Sequence, residues 1–200
     1  MKILKRLYIW IRIILVWITC AAVILPVKHY VFAIMLVKNT SMYPTLKDNE
    51  FVLVNRTRRL TLTEYEVGDI IMFEAPTDTK TAEELVFGNP IAVYDYEPEG
   101  TLNRIIYYGL EATKLSYVKR IVAVGGDVVE FRDSKVYVNG EELEEDYLPE
   151  GTITEPIVFY WIRVPEGCVY VLGDNREKSL DSRRFGCIPV EKIEGKVLFR

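Results

Sequence analysis

Histidine is almost absent: the 200 residues include one, His29. Zinc sites built on two or three imidazoles are thereby excluded within one chain, as is a His-Glu-x-x-His helix. A Ser-His-Asp triad would have to use His29. Cysteine is scarce as well. Cys20, Cys168 and Cys187 form no Cys-x-x-Cys pair, which removes thiol zinc sites and thioredoxin-like redox motifs. Acids are missing from the first 47 residues, where Lys2, Lys5, Arg6, Arg12, Lys28, Lys38 and Lys47 give +7. The other 18 bases and all 29 acids leave −11 for the remainder. The basic stretch flanks an apolar run, so it does not point to nucleic acid as a partner. Half of the residues are hydrophobic, too many for a disordered chain. The length suits one or two small domains with a core.

The apolar run covers residues 7–27 and carries a single charge, Arg12. As a helix it reaches roughly 31 Å, close to a hydrocarbon core of about 30 Å. Arg12 lies near one end, where a long side chain can reach the headgroups. Pro26 and Lys28 are expected to close the segment. Four bases precede the stretch 13–27 and Lys28 alone follows closely. The positive-inside rule then predicts residues 1–28 as cytoplasmic N-terminus and transmembrane anchor, with 29–200 outside and a lipid bilayer as partner. A cleaved signal peptide is the competing reading. It fits less well, because the run exceeds an ordinary h-region and its small residues sit mid-run. His29 is expected at the membrane edge.

Beyond residue 30 the signals are those of strands. Short apolar runs occupy 30–37, 51–54, 70–73, 117–124, 128–131, 136–138, 169–172 and 196–199, separated by Gly, Pro and Asn turns. Asn139-Gly140 is a strong hairpin signal. The fold class expected is mainly β, an antiparallel sheet domain behind one transmembrane helix. Residues 75–114 carry few regular signals and read as an insertion. Residues 132–167 read as a smaller β-rich cap region. The acidic run 141–146 lacks Asp-x-Asp-x-Asp-Gly spacing and reads as a solvated loop rather than a cation site.

Three segments carry candidate chemistry. Ser41, in Ser41-Met42-Tyr43-Pro44-Thr45-Leu46, follows an apolar strand and precedes a proline, so it is held on a turn. Most such serines are only turn residues. Lys119 sits inside the apolar strand 117–124; alternation groups it with Tyr117 and Ile121 and sends Arg120 to the other face. An edge lysine that deters aggregation is the plain reading. A desolvated amine able to act as a base is the functional one. Finally, the loop 173–186 is dense in Asp and Arg that can lock it by ion pairs.

Together these segments resemble the type I signal peptidases. The resemblance rests on four boxes in the family's order. They are the Ser41 segment, Val67-Gly68-Asp69-Ile70-Ile71-Met72-Phe73, the strand from Tyr117 through Gly125-Gly126-Asp127, and Gly173-Asp174-Asn175-Arg176 with Ser179 and Asp181-Ser182-Arg183. The resemblance implies a membrane-anchored Ser/Lys-dyad endopeptidase on a β fold that removes signal peptides from secretory preproteins, favouring small residues one and three positions before the cut. Carried over, Ser41 is the nucleophile and Lys119 the general base. Ser179 orients the amine, Asp181 and Arg183 form a supporting salt bridge, and Asp174 and Arg120 lie nearby. Asn39 stands where relatives carry Ser or Gly beside the oxyanion hole. Val37 and Val118 are candidate walls of the substrate pocket, and Met42 with the strand 30–37 is expected to dip into the lipid interface. No metal or other cofactor is expected. Lys38 is a competing base outside any box.

Two rivals share parts of this pattern. Ser116-Tyr117-Val118-Lys119 fits the Ser-x-x-Lys of penicillin-binding proteins, which needs a helix to bring both side chains to one face. A membrane-anchored non-catalytic β-rich binding module would explain the anchor and strands but not the order of the boxes. Cys168 and Cys187 flank the last box and could pair.

Overall fold

The computed structural model describes residues 2–59, 64–79, 89–157 and 160–198. Helix α1, Lys2–Tyr30, is long and apolar enough to cross a membrane by length and composition. Pro26 and Lys28 do not end it: the helix runs on through Pro26 to Tyr30. A proline costs a helix one N–H, which a long apolar helix tolerates.

Eleven strands follow among the described residues: β1 Phe32–Leu36, β2 Phe51–Asn55, β3 Ile70–Glu74, β4 Ser116–Val124, β5 Val128–Arg132, β6 Lys135–Val138, β7 Glu141–Glu142, β8 Trp161–Arg163, β9 Cys168–Leu172, β10 Ile188–Pro189 and β11 Ile193–Leu198. They form a seven-stranded sheet ordered β1-β2-β11-β3-β4-β9-β10 and a four-stranded sheet ordered β7-β6-β5-β8. All strand pairs are antiparallel. The mainly antiparallel β expectation therefore holds. Residue 199, the end of the last expected strand, lies outside the described residues, as do 80–88 of the insertion and 158–159 of the cap region.

The apolar runs are continuous because the large sheet is covered on both faces. On β3, Ile70 and Met72 enter one core cluster while Ile71 and Phe73 enter another. The first of these clusters also holds Ala33 and Val37 from the start of the sheet and Val118 from β4. Strands four places apart, as β1 and β4 are, share a core only if the sheet curls. The small sheet packs Val129, Phe131, Val136 and Ile162 against Val122, Tyr170 and Leu172 of the large one. Its hairpins turn on Asn139-Gly140 (φ 53° and 85°) and on Asp133-Ser134 (φ 51° and 60°). Two successive left-handed residues match the twist of a two-residue hairpin.

The insertion contributes a short helix, α2, Thr101–Arg104, and a π-helical turn, Ile105–Gly109. Its end packs against the end of α1: Lys28 Nζ donates to Leu110 O at 3.1 Å and His29 Nδ1 lies 3.5 Å from Glu111 Oε1. A further short helix, α3, Ser182–Phe185, lies in the last box. Cys168 and Cys187 are both buried and no disulfide joins them. Cys168 lies opposite Pro189, so the two cysteines are diagonal rather than facing neighbours.

Candidate active site

Strand β1 ends at Leu36 and the chain turns through residues 39–46. Asn39 adopts φ 79°, a left-handed conformation that asparagine tolerates. Its backbone N–H donates to Asp48 Oδ1 at 2.8 Å. Any donation from Asn39 into the cleft must therefore come from its side-chain amide. Met42 and Leu46 are buried in the core and anchor the turn, while Ser41 between them and β1 stays half-buried. Met42 is 1% exposed, so it does not reach lipid as the sequence suggested. The Tyr43–Pro44 peptide is cis.

Strand β4 supplies the partner. Lys119 Nζ donates to Ser41 Oγ at 2.7 Å and to Val118 O at 3.0 Å. The amine also lies 5.6 Å from the centre of the Tyr117 ring, on the side that alternation predicted. Lys119 is 4% exposed. Burial pushes its amine down to about 8, and the carboxylates of Asp181 and Asp174 restore only part of the shift. A hydroxyl bonded to such an amine is poised to lose its proton. Lys38, by contrast, is exposed. Because 116–119 is strand and not helix, Ser116 and Lys119 do not form a Ser-x-x-Lys pair; Ser116 Oγ instead donates to Glu194 Oε2 at 3.1 Å.

The loop after β9 backs this pair. Arg120 clasps Asp174 with two bonds of 2.9 and 2.7 Å. Arg183 clasps Asp181 with two more of 2.8 and 2.9 Å. Asp181 also caps α3 by accepting from Arg183 N and holds Gly173 N at 3.1 Å. Asn175 N donates to Ser41 O at 3.0 Å and its side-chain amide to Thr40 O at 3.0 Å, which fastens the loop to the serine turn. Ser179 is buried, yet its hydroxyl has no hydrogen-bond partner, so the bond to Lys119 implied by the resemblance is not formed here.

Gly173 marks the tightest approach. A Cβ there would lie 2.1 Å from Ser179 Oγ and 2.6 Å from Ser41 O. Gly173→Ala is therefore expected to push the serine turn away from β4 and to lower peptidase activity at least about 10-fold. Full activity in that variant, assayed on a precursor, would contradict the close fit.

A cleft of about 780 Å³ opens over Ser41 and Lys119. Val37 and Val118 line it, as do Met35, Asn39 and Tyr117. It lies between two strand edges. Among the described residues, β1 pairs only with β2, and β9 pairs with β4 only from Arg120 onward, so the Ser116–Lys119 half of β4 has a strand partner there on one side alone. At its far end the insertion closes the cleft through Glu111 and Lys114. Lys114 bridges Glu74 and Glu194 at 2.9 Å each, and Arg56 joins Glu111 and Glu194.

Residues 10–200 match the family described as signal peptidase, peptidase S26. The chain belongs to this family. It is a hydrolase, a serine endopeptidase. Among relatives, it is 29% identical over 195 residues to signal peptidase I of Bacillus caldolyticus, covering 92% of this chain and 87% of the relative. It is 38% identical over 164 residues to thylakoidal processing peptidase 1 of Arabidopsis thaliana, covering 82% of this chain but only 40% of that protein. A crystal structure of a signal peptidase I from Enterococcus faecalis V583 superposes with a TM-score of 0.42 at 26% identity, covering 68% of this chain and 98% of that one.

The four boxes thus come together around one cleft. Reading the sequence missed Tyr147, Glu145 and Thr154, which reach Arg120 and Arg176 from the acidic run and its flank. Their only signal was an acidic stretch beside a basic loop, which does not say which charge meets which.

Proposed function

We propose that Ser41 and Lys119 are the catalytic dyad of a membrane-anchored signal peptidase that cleaves secretory preproteins. The observation that carries this reading is the 2.7 Å bond between Ser41 Oγ and a buried Lys119 amine. Neutral Lys119 takes the hydroxyl proton as Ser41 Oγ attacks the scissile carbonyl. The Ser41 backbone N–H, aided by the Asn39 side-chain amide, stabilises the oxyanion. The ammonium then gives its proton to the departing amine, leaving an acyl-enzyme. Lys119, neutral again, activates the water that releases the signal peptide. Asp174–Arg120 and Asp181–Arg183 hold the loop behind the lysine, and Ser179 packs beside it.

The substrate lies extended between the free edges of β1 and β4 and adds its backbone as a strand. Val37 and Val118 shape shallow pockets for small side chains. The N-terminus is cytoplasmic and the body of the protein lies on the outer side. Beside the anchor, Phe32, Ile34, Phe51 and Leu53 are exposed apolar side chains on β1 and β2, with Ile34 directly opposite Leu53. This face rests in the lipid interface. The assay that tests the whole reading is cleavage of a secretory precursor by the full chain in detergent, with the cut placed by mass spectrometry. Failure to cut after a small residue would refute it.

The pH dependence follows from the lysine. Only the neutral amine is a base, so kcat/KM is expected to rise with pH through about 8 and then level off. Stability follows the same group. Its folded pKa is depressed, so between about 8 and the ordinary lysine range the unfolded chain binds the extra proton and stability rises with pH. The gain has an upper bound of roughly 3 kcal/mol. Urea unfolding at pH 7.5 and 10.5 checks this, and Lys119→Met should lack the rise.

A further inference from the structure

The acidic run 141–146 and the residues after it lie outside the four boxes, and the proposed mechanism uses none of them. They are not simply solvated. Glu145 pairs with Arg176, which is 4% exposed. Thr154 Oγ1 accepts from the same guanidinium at 2.6 Å, and Arg176 Nε donates to Gly173 O at 3.1 Å. Two residues past Glu145, Tyr147 puts its ring 3.7 Å from the guanidinium carbon of Arg120 and donates its hydroxyl to Glu145 at 2.6 Å. Arg120 thus has a carboxylate, Asp174, on its edge and an aromatic face against its plane. The same few residues of the smaller-sheet region hold both arginines that grip the start of the 173–184 loop.

We infer that Tyr147 is a positioning residue for the peptidase reaction, stacking on Arg120 to keep its guanidinium on Asp174 and so fixing the charges behind Lys119. Glu145 tethers the Tyr147 hydroxyl and Arg176 in one cluster. The inference rests on the Ser41/Lys119 reading. The charges that bear on Lys119 are Asp181 and Asp174 from the loop, with Arg183 and Arg120 paired to them; Lys38, Asp48, Glu111, Lys114, Lys178 and Glu194 also line the cleft, and Tyr117 of its own strand offers a ring. Arg120 also donates to Gly68 O at 3.0 Å and to Thr45 Oγ1 at 3.4 Å, so without the Tyr147 ring it stays in place but loses the face packed on its plane, and its grip on Asp174 loosens. The carboxylate then acts on Lys119 with less compensation and favours its ammonium form.

The test is the pH profile of kcat/KM for precursor cleavage by the full chain in detergent. Tyr147→Leu should move the alkaline rise upward, cutting activity about 3- to 10-fold at pH 7 with recovery at pH 10. Tyr147→Phe keeps the ring and should keep the wild-type profile. If the leucine variant does not fold, Tyr147→Met, similar in volume and without a ring, takes its place. A leucine or methionine variant with an unmoved profile, or a phenylalanine variant moved equally far, overturns the inference. Lys119→Ala, run alongside, separates the two levels. If it still cleaves, the dyad reading fails; if it is inactive and the Tyr147 profile is unmoved, only the positioning role fails.

Discussion

Ser41→Ala and Lys119→Ala are each expected to lower precursor cleavage by at least about 1,000-fold, with the folded domain intact. The two losses should not add, because in the proposed mechanism nucleophile and base act in one step; the double variant should fall little below either single one. The oxygen removed from Ser41 is half-buried at the cleft, and its loss leaves the Lys119 amine still bonded to Val118 O. Lys119 differs, since its amine is buried and depressed to about 8. At neutral pH the folded state must protonate it at a cost, so Lys119→Met should be inactive yet no less stable than the parent. Thermal unfolding at pH 7 alongside the cleavage assay reads both. Near-parental cleavage by Lys119→Ala would remove the dyad.

Asp181→Ala should have the largest effect on stability. Its carboxylate is 0% exposed and accepts from Gly173 N, Arg183 N, and both Nε and Nη2 of Arg183. Truncating it strands a buried guanidinium, which costs about 3–5 kcal/mol. It also uncaps α3 and frees Gly173, the point where the loop meets the Ser41 turn. Urea unfolding measures the loss, and a value below about 1 kcal/mol would show that the pair is not a structural lock. Replacing both partners, Asp181→Ala with Arg183→Met, should destabilise less than Asp181→Ala alone, because no unpaired charge remains.

The strands were legible where their side chains are buried on both faces. β3 and β9 carry uninterrupted apolar runs for that reason. β8 and β10 were not. Trp161–Arg163 turns only Ile162 inward, and Ile188–Pro189 is a two-residue edge strand with a proline. Proline misled at Pro26 too, since a long apolar helix carries on where a short soluble one would stop. The candidate site was legible through contiguous boxes, each a short stretch with its chemistry in sequence order. Ser179 shows the limit, because position in a box does not set where a hydroxyl points. Tyr147 shows another, since it sits in a turn after β7 while its partner Arg120 lies on β4 of the large sheet, and no periodicity links them. The pairing of Cys168 with Cys187 was open in the sequence; strand register sets them diagonally instead.

Only Val31 separates the end of α1 from β1, and both of its backbone groups are used: its N–H reaches Val27 O and its carbonyl receives Arg56 N. Lys28 and His29 add ties to Leu110 and Glu111. There is no slack between anchor and body. With α1 embedded in a bilayer, the cleft stands at a fixed altitude above the lipid, and the molecule becomes a gauge. On the proposed function, a chain threading past would be read at one height, so the length of its own apolar segment, and not only the residues at the cut, would select the bond that meets Ser41.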